Sequence, residues 1–157
     1  AHDRQVPVYV PAFVDSELGN DVYVENERRR ACGRPKHMVD PSLDTEHRLR
    51  LKERAEKIAI FIVGGGTPRN NVQNDAPLVH IENMRLKRTR KVPIIKNACR
   101  IAPDAMIYGH LGGSTASEAG SWGKTDLEHG AFAEVRADAT LVWPIVVKYV
   151  MEKKFGI

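Results

Sequence analysis

The chain has 157 residues, 42% of them hydrophobic and 28% charged, with a net charge of +4. These values match an ordinary globular domain and exclude a disordered or fibrous protein. The longest apolar stretch, Leu141 to Val147, contains Pro144 and falls far short of the roughly 20 residues that a membrane-spanning helix needs.

Val6 to Phe13 has the β-branched and aromatic content of a strand, and Pro7 and Pro11 put it at a sheet margin. Asp15 to Gly19 reads as a polar turn, and residues 25–45 as a long polar excursion broken by Gly33, Pro35 and Pro41. A helix is expected from Asp44 or Thr45, as its cap, to about Glu56. Ile58 to Val63 is a continuous apolar run, the pattern of a parallel strand buried on both faces. Gly64, Gly65 and Gly66 end it, and Thr67 then caps a helix with Pro68 in its first position. Val92 to Ile95 suggests a further short strand, weakened by Pro93, and Gly109 to Gly113 a flexible loop. Thr115 and Glu118 fit a capping box. Phe132 to Arg136 alternates as a strand, and Ala139 to Lys153 reads as a final helix that Pro144 delays or kinks. Strand, glycine turn and helix in alternation predict an α/β fold with a Rossmann-like parallel sheet and flanking helices.

The pI of about 9.2 permits an acidic partner. Of the basic runs, however, Arg48 to Lys57 mixes signs at helical spacing, the denser 85–91 cluster reads as a surface loop, and the aromatics are few and not interleaved with the charges, which does not favour nucleic acid. The cysteines, Cys32 and Cys99, form no disulfide framework, so a reducing, cytoplasmic compartment is expected. The opening AHDRQVPVYV shows no secretory pattern. The six histidines have no metal-ligand spacing, and no metal is expected. His110 stands apart because it sits in the glycine loop.

The glycine triplet is suited either to close approach by a phosphate or to a tight structural turn. In STASEAGSWGK (114–124), Lys124 follows Trp122 and Gly123. Walled from water by Trp122, a lysine becomes a usable amine nucleophile, and Glu118 could hold a substrate ammonium. The same pattern also describes a helix C-terminus with a basic residue. Asp15, Glu17, Asp21 and Asp138 fall at predicted strand ends, where ligands of open sheets bind; turn and cap roles fit Asp15 and Asp138 equally.

At GGGTPRNNVQN (64–74), GGSTASEAGSWGK (112–124), VRADATLVWPIVV (135–147) and VPVYVPAFVDSELG (6–19) the chain resembles the C-terminal half of the deoxyhypusine synthase family. The family enzymes are about twice as long, so residues 1–157 would be half of an NAD-binding domain: a fragment, a cleavage product or one of two subunits. The resemblance implies a partial deoxyhypusine synthase fold, a tetramer, NAD at a subunit interface, and transfer of the aminobutyl group of spermidine through an imine on a lysine. The acceptor would be a lysine of a translation factor. The matching lysine is Lys124. Trp122, Glu118, Asp21 and His110 would meet the substrate, and Gly64, Gly65, Gly66, Thr67, Asp15, Ser16, Ala137 and Asp138 would meet NAD. The chain departs from the eukaryotic pattern at Asn70, where those enzymes carry histidine, and at Leu111, where they carry aspartate. PRN (68–70) and GGST (112–115) look more like the prokaryotic branch, some members of which pass the group to putrescine. A noncatalytic partner half is a further alternative.

Overall fold

Three parallel strands carry the fold in the order β1-β2-β3: β1 Ala59–Val63, β2 Asn97–Ile101 and β3 Ala131–Val135. They belong to a computed structural model that describes residues 1–157. Phe61 pairs with Cys99, and Cys99 in turn with Ala133. Helices α3 (Thr67–Gln73) and α4 (Asp75–Leu86) connect β1 to β2. Helix α5 (Ala116–Ser121) lies between β2 and β3, and α6 (Ala139–Phe155) follows β3. The mixed α/β class with a parallel sheet and flanking helices is what the alternation predicted.

The chain divides into two compact units, Ala1–Arg50 and Leu51–Ile157. The sheet belongs to the second. Its interior holds Ala76 and Val79 of α4, Ile95, Ile101, Ala102 and Ala119. Asp75 is buried with them and pairs with Lys52 Nζ at 2.8 Å. Because the strands are parallel, Gly64–Gly66, Ala102–Asp104 and Arg136–Asp138 all leave the same edge of the sheet, the edge where open α/β sheets bind ligands.

Several local expectations are corrected. Val6 to Phe13 is not a strand: two prolines remove ladder donors, and the segment ends in a 3-10 turn at Phe13–Asp15. Asp15 and Asp21 therefore do not sit at strand ends. Ser16 caps helix α1 (Glu17–Ala31), its Oγ accepting from Gly19 N–H at 3.3 Å. Much of the supposed excursion is thus helical, supported by Glu25–Arg28 and Glu27–Arg30 ion pairs at i,i+3 spacing. Helix α2 (Pro41–Arg54) starts earlier than Asp44, because Asp40 accepts from Ser42 N–H at 2.9 Å and Pro41 opens the helix.

In the second unit, β1 is an edge strand and is not buried on both faces: Phe61 is 48% and Val63 50% exposed. Trp143 of α6 covers Phe61 in part, with ring centroids 5.6 Å apart. Gly66, not Thr67, takes the cap position of α3. Val92–Ile95 contributes only an isolated bridge from Ile95 to Thr125. Gly109–Gly113 is partly ordered as a 3-10 turn at Leu111–Gly113. Helix α6 starts at Ala139 despite Pro144, with Asp138 Oδ1 accepting from Thr140 N–H at 2.8 Å.

Candidate functional site

Lys124 is placed by the end of α5. Thr115 Oγ1 accepts from Glu118 N–H at 3.2 Å and starts the helix, as its capping-box sequence predicts. Six residues later the helix stops at a Schellman turn. Gly123, at φ +67°, donates to Gly120 O at 2.9 Å, and Lys124 N–H donates to Ala119 O at 3.0 Å. Only glycine adopts that backbone readily, which explains the residue before the lysine. Lys124 O then accepts from the N–H of buried Ile95 at 3.1 Å, tying the lysine backbone to the core.

The side chain of Lys124 turns toward α3, where its Nζ donates to Asn70 Oδ1 at 2.9 Å. It lies 5.9 Å from the Trp122 ring centroid. Burial and the nearby Arg69 guanidinium push the amine below the usual lysine value, and the Glu118 carboxylate opposes them. Trp122 does not wall off water as expected: it is 67% exposed. The desolvation of the amine comes from its seat between α3 and the end of α5.

These groups line a cavity of about 840 Å³ that also takes in Glu118, His110, Leu111 and Arg69. Four sequence-predicted residues, Lys124, Trp122, Glu118 and His110, thus share one cavity. Glu118 is exposed at its edge. His110 caps the Leu111–Gly113 turn, its Nδ1 accepting from Gly113 N–H at 3.1 Å, and it stacks on Tyr108.

Two buried arginines hold the wall of this cavity. Arg69 donates to Ser114 O and Leu111 O, both at 2.7 Å. Arg100 donates to Ser114 O at 2.8 Å and to Gly112 O. Burial, reinforced by Arg100, lowers the Arg69 pKa. Neither arginine was legible as a site residue: Arg69 carries no local signal in the first turn of α3, and Arg100 lies in a strand too poor in β-branched residues to be recognised.

The glycine turn lines a second cavity, about 380 Å³, with Phe61, Pro68 and Val72. Gly64 and Gly65 have φ of +69° and +55°; a Cβ would meet nothing at Gly64 and only Pro68 Cδ, at 3.8 Å, at Gly65. Gly66 differs: a Cβ there would meet Leu111 Cβ at 2.8 Å and Gly112 N at 3.1 Å. Its need for glycine is packing against the cavity loop. Thr67 is exposed in the first turn of α3. Ala137 and Asp138 leave β3 at the same sheet edge, and the hydrogen bonds of Asp138 to Thr140 hold its carboxyl below the ordinary value. Asp15, Ser16 and Asp21 belong to the first unit, Asp15 in the 3-10 turn, Ser16 at the cap of α1 and Asp21 exposed within it.

The sequence profile of deoxyhypusine synthase matches residues 1–150. A probable deoxyhypusine synthase 2 of Methanosarcina mazei is 31% identical over 157 residues, all of this chain and 42% of that protein. A deoxyhypusine synthase-like protein of Caulobacter vibrioides is 32% identical over 148 residues, 93% of this chain and 38% of the other. A probable deoxyhypusine synthase of Pyrococcus abyssi is 30% identical over 160 residues, covering 97% and 40%. The chain thus spans about two fifths of the length of these curated relatives.

Proposed function

The chain belongs to the deoxyhypusine synthase family, and on that premise we propose that it supplies the lysine half of an NAD-dependent aminobutyl transferase. Lys124 carries the aminobutyl group of spermidine as an imine before it passes to an acceptor amine. The observation that supports this reading best is the depressed amine of Lys124 within a cavity that also holds Trp122 and Glu118. An ordinary lysine, with a pKa of about 10.4, is almost wholly protonated at neutral pH and does not attack carbon. Glu118 offers an exposed carboxylate to a polyamine cation, and the Trp122 face offers a second cation contact.

NAD, when bound, supplies the acceptor for the hydride that leaves spermidine. The cavity beside Gly64 and Gly65 fits the approach of a phosphate to backbone, whereas Gly66 is already filled by the loop. Thr67, Ala137, Asp138, Asp15 and Ser16 are the remaining residues assigned to NAD, and Asp21 and His110 to substrate. Residues 1–157 act as half of an NAD-binding domain within a cytoplasmic tetramer, completed by a further chain or segment. The exposed apolar residues of α6, Leu141, Ile145 and Tyr149 among them, suit such cover. The acceptor is a protein lysine of a translation factor; the Asn70 and Leu111 departures favour putrescine as the alternative.

The test is borohydride reduction of the purified protein after incubation with labelled spermidine and NAD. Label should be fixed on Lys124. Lys124→Arg should abolish the adduct, because a guanidinium stays protonated, and leave NAD binding nearly intact. Label on another lysine would overturn the assignment. Gly65→Val should weaken NAD binding. Native mass spectrometry of the same sample would reveal a second chain.

A further inference from the structure

Asn70 follows buried Arg69 on α3, and its Oδ1 accepts from Lys124 Nζ at 2.9 Å across 54 positions of sequence. Both ends of this bond are fixed independently. Lys124 is held by its backbone bonds to Ala119 and Ile95. Asn70 donates its own N–H to Gly66 O at 2.9 Å, and the adjacent Arg69 is fastened to the carbonyls of Ser114 and Leu111. The contact is therefore between two preset groups.

We infer that Asn70 is a positioning residue that aims the Lys124 amine into the cavity through a neutral acceptor; this deepens the reading of Lys124 as the reacting amine and rests on it. A carboxamide orients an amine by one hydrogen bond and adds no counter-charge. A carboxylate in the same place would hold the ammonium and oppose loss of its proton. The choice of an amide also agrees with the other charged groups around the lysine. Arg69 of α3 repels its proton and Glu118 of α5 retains it. His110 lines the cavity from the loop after β2. From α4, His80 Nε2 comes within 3.9 Å of where a Gly123 Cβ would stand. With one carboxylate already acting on the amine, a second at position 70 would reverse the balance set by burial and Arg69.

The experiment is reductive methylation of the purified protein with formaldehyde and cyanoborohydride, following each lysine by peptide mass spectrometry across pH. Exposed Lys148, Lys153 and Lys154 serve as internal references. Asn70→Asp should raise the pH midpoint of Lys124 labelling by about one unit or more, because an opposite charge replaces a neutral acceptor. Asn70→Leu should lower it, because the ammonium loses a partner. Opposite shifts confined to Lys124 are a signature that a merely structural residue would not give. Midpoints that stay put in both variants, or move the same way, overturn the inference. If Asn70→Asp does not fold, Asn70→Leu decides alone: a lowered midpoint supports the role and an unchanged one overturns it. Formaldehyde labelling needs neither spermidine nor NAD. Failure of the spermidine trap would thus sink the transferase reading and leave this result standing, and the reverse also holds.

Discussion

Two sets of arginines behave in opposite ways. Arg28 and Arg30 on α1 stand in a conspicuous basic run, yet their side chains are 73% and 68% exposed and pair with glutamates one helical turn away. Arg69 and Arg100 are isolated in sequence and only 8% and 7% exposed. Their guanidinium groups bond to backbone carbonyls of the loop that walls the lysine cavity. Charge density along the chain therefore says little about which cations matter. An exposed ion pair is screened by water and contributes little. A buried guanidinium removed from its carbonyls leaves acceptors without partners and without solvent.

The sharpest test of that contrast is Arg100→Leu. It takes the arginine partner from Gly112 O, leaves Ser114 O to Arg69 alone, and stability should fall by about 3 kcal/mol, read from urea unfolding. A loss below about 1 kcal/mol would mean that the loop holds itself. Next in size is the turn that the loop packs against. Gly66→Ala forces a Cβ to 2.8 Å from Leu111 Cβ and should cost about 2 kcal/mol by overpacking. Gly64→Ala meets open space and should cost about 1 kcal/mol for its left-handed backbone alone. If the two variants prove equal, the glycine turn and the loop are not in contact as described.

A smaller effect separates the site lysine from surface lysines. Lys124 has a folded pKa below its unfolded value, so its charged form is disfavoured by folding. That penalty is fully present below the folded pKa. It disappears as pH rises through the window up to the unfolded value, about 10.4. The unfolded chain binds more protons in that window, so stability should rise with pH there, and Lys124→Met should flatten the rise relative to the native protein. Arg69→Met should narrow the window from below by removing the repulsion that depresses the amine, seen as a higher labelling midpoint for Lys124. The least effect belongs to the exposed set: Arg28→Ala with Arg30→Ala should change stability by less than about 1 kcal/mol in total, measured in the same urea titration.

Legibility along the chain followed the strength of local signals. Strand β1 and its glycine turn, the Thr115 cap, β3 and the Asp138-capped helix α6 were readable because each rests on residues close in sequence. Strand β2 was not: Asn97-Ala98-Cys99-Arg100-Ile101 carries one β-branched residue and a charge at its fourth position, and it becomes the middle strand because partners on both sides complete its ladder. Helix α1 was missed because ion pairs rather than an apolar stripe support it. The first segment was misread in the other direction. Val6 to Phe13 has strand-forming residues but no strand beside it to pair with.

The sequence by itself determined the α/β class, the glycine turn after β1 and the end of α5 that presents Lys124, because strand composition, capping and left-handed glycines act within a few residues. It also carried the family motifs, which are contiguous. Only the tertiary structure decided that Asn70 receives the lysine amine, that Arg69 and Arg100 fasten the cavity loop, and that Gly66 serves packing while Gly64 stands open. Those outcomes depend on groups brought together from distant positions, and on burial, which sets the worth of a charge or a hydrogen bond and leaves no mark in the local order of residues.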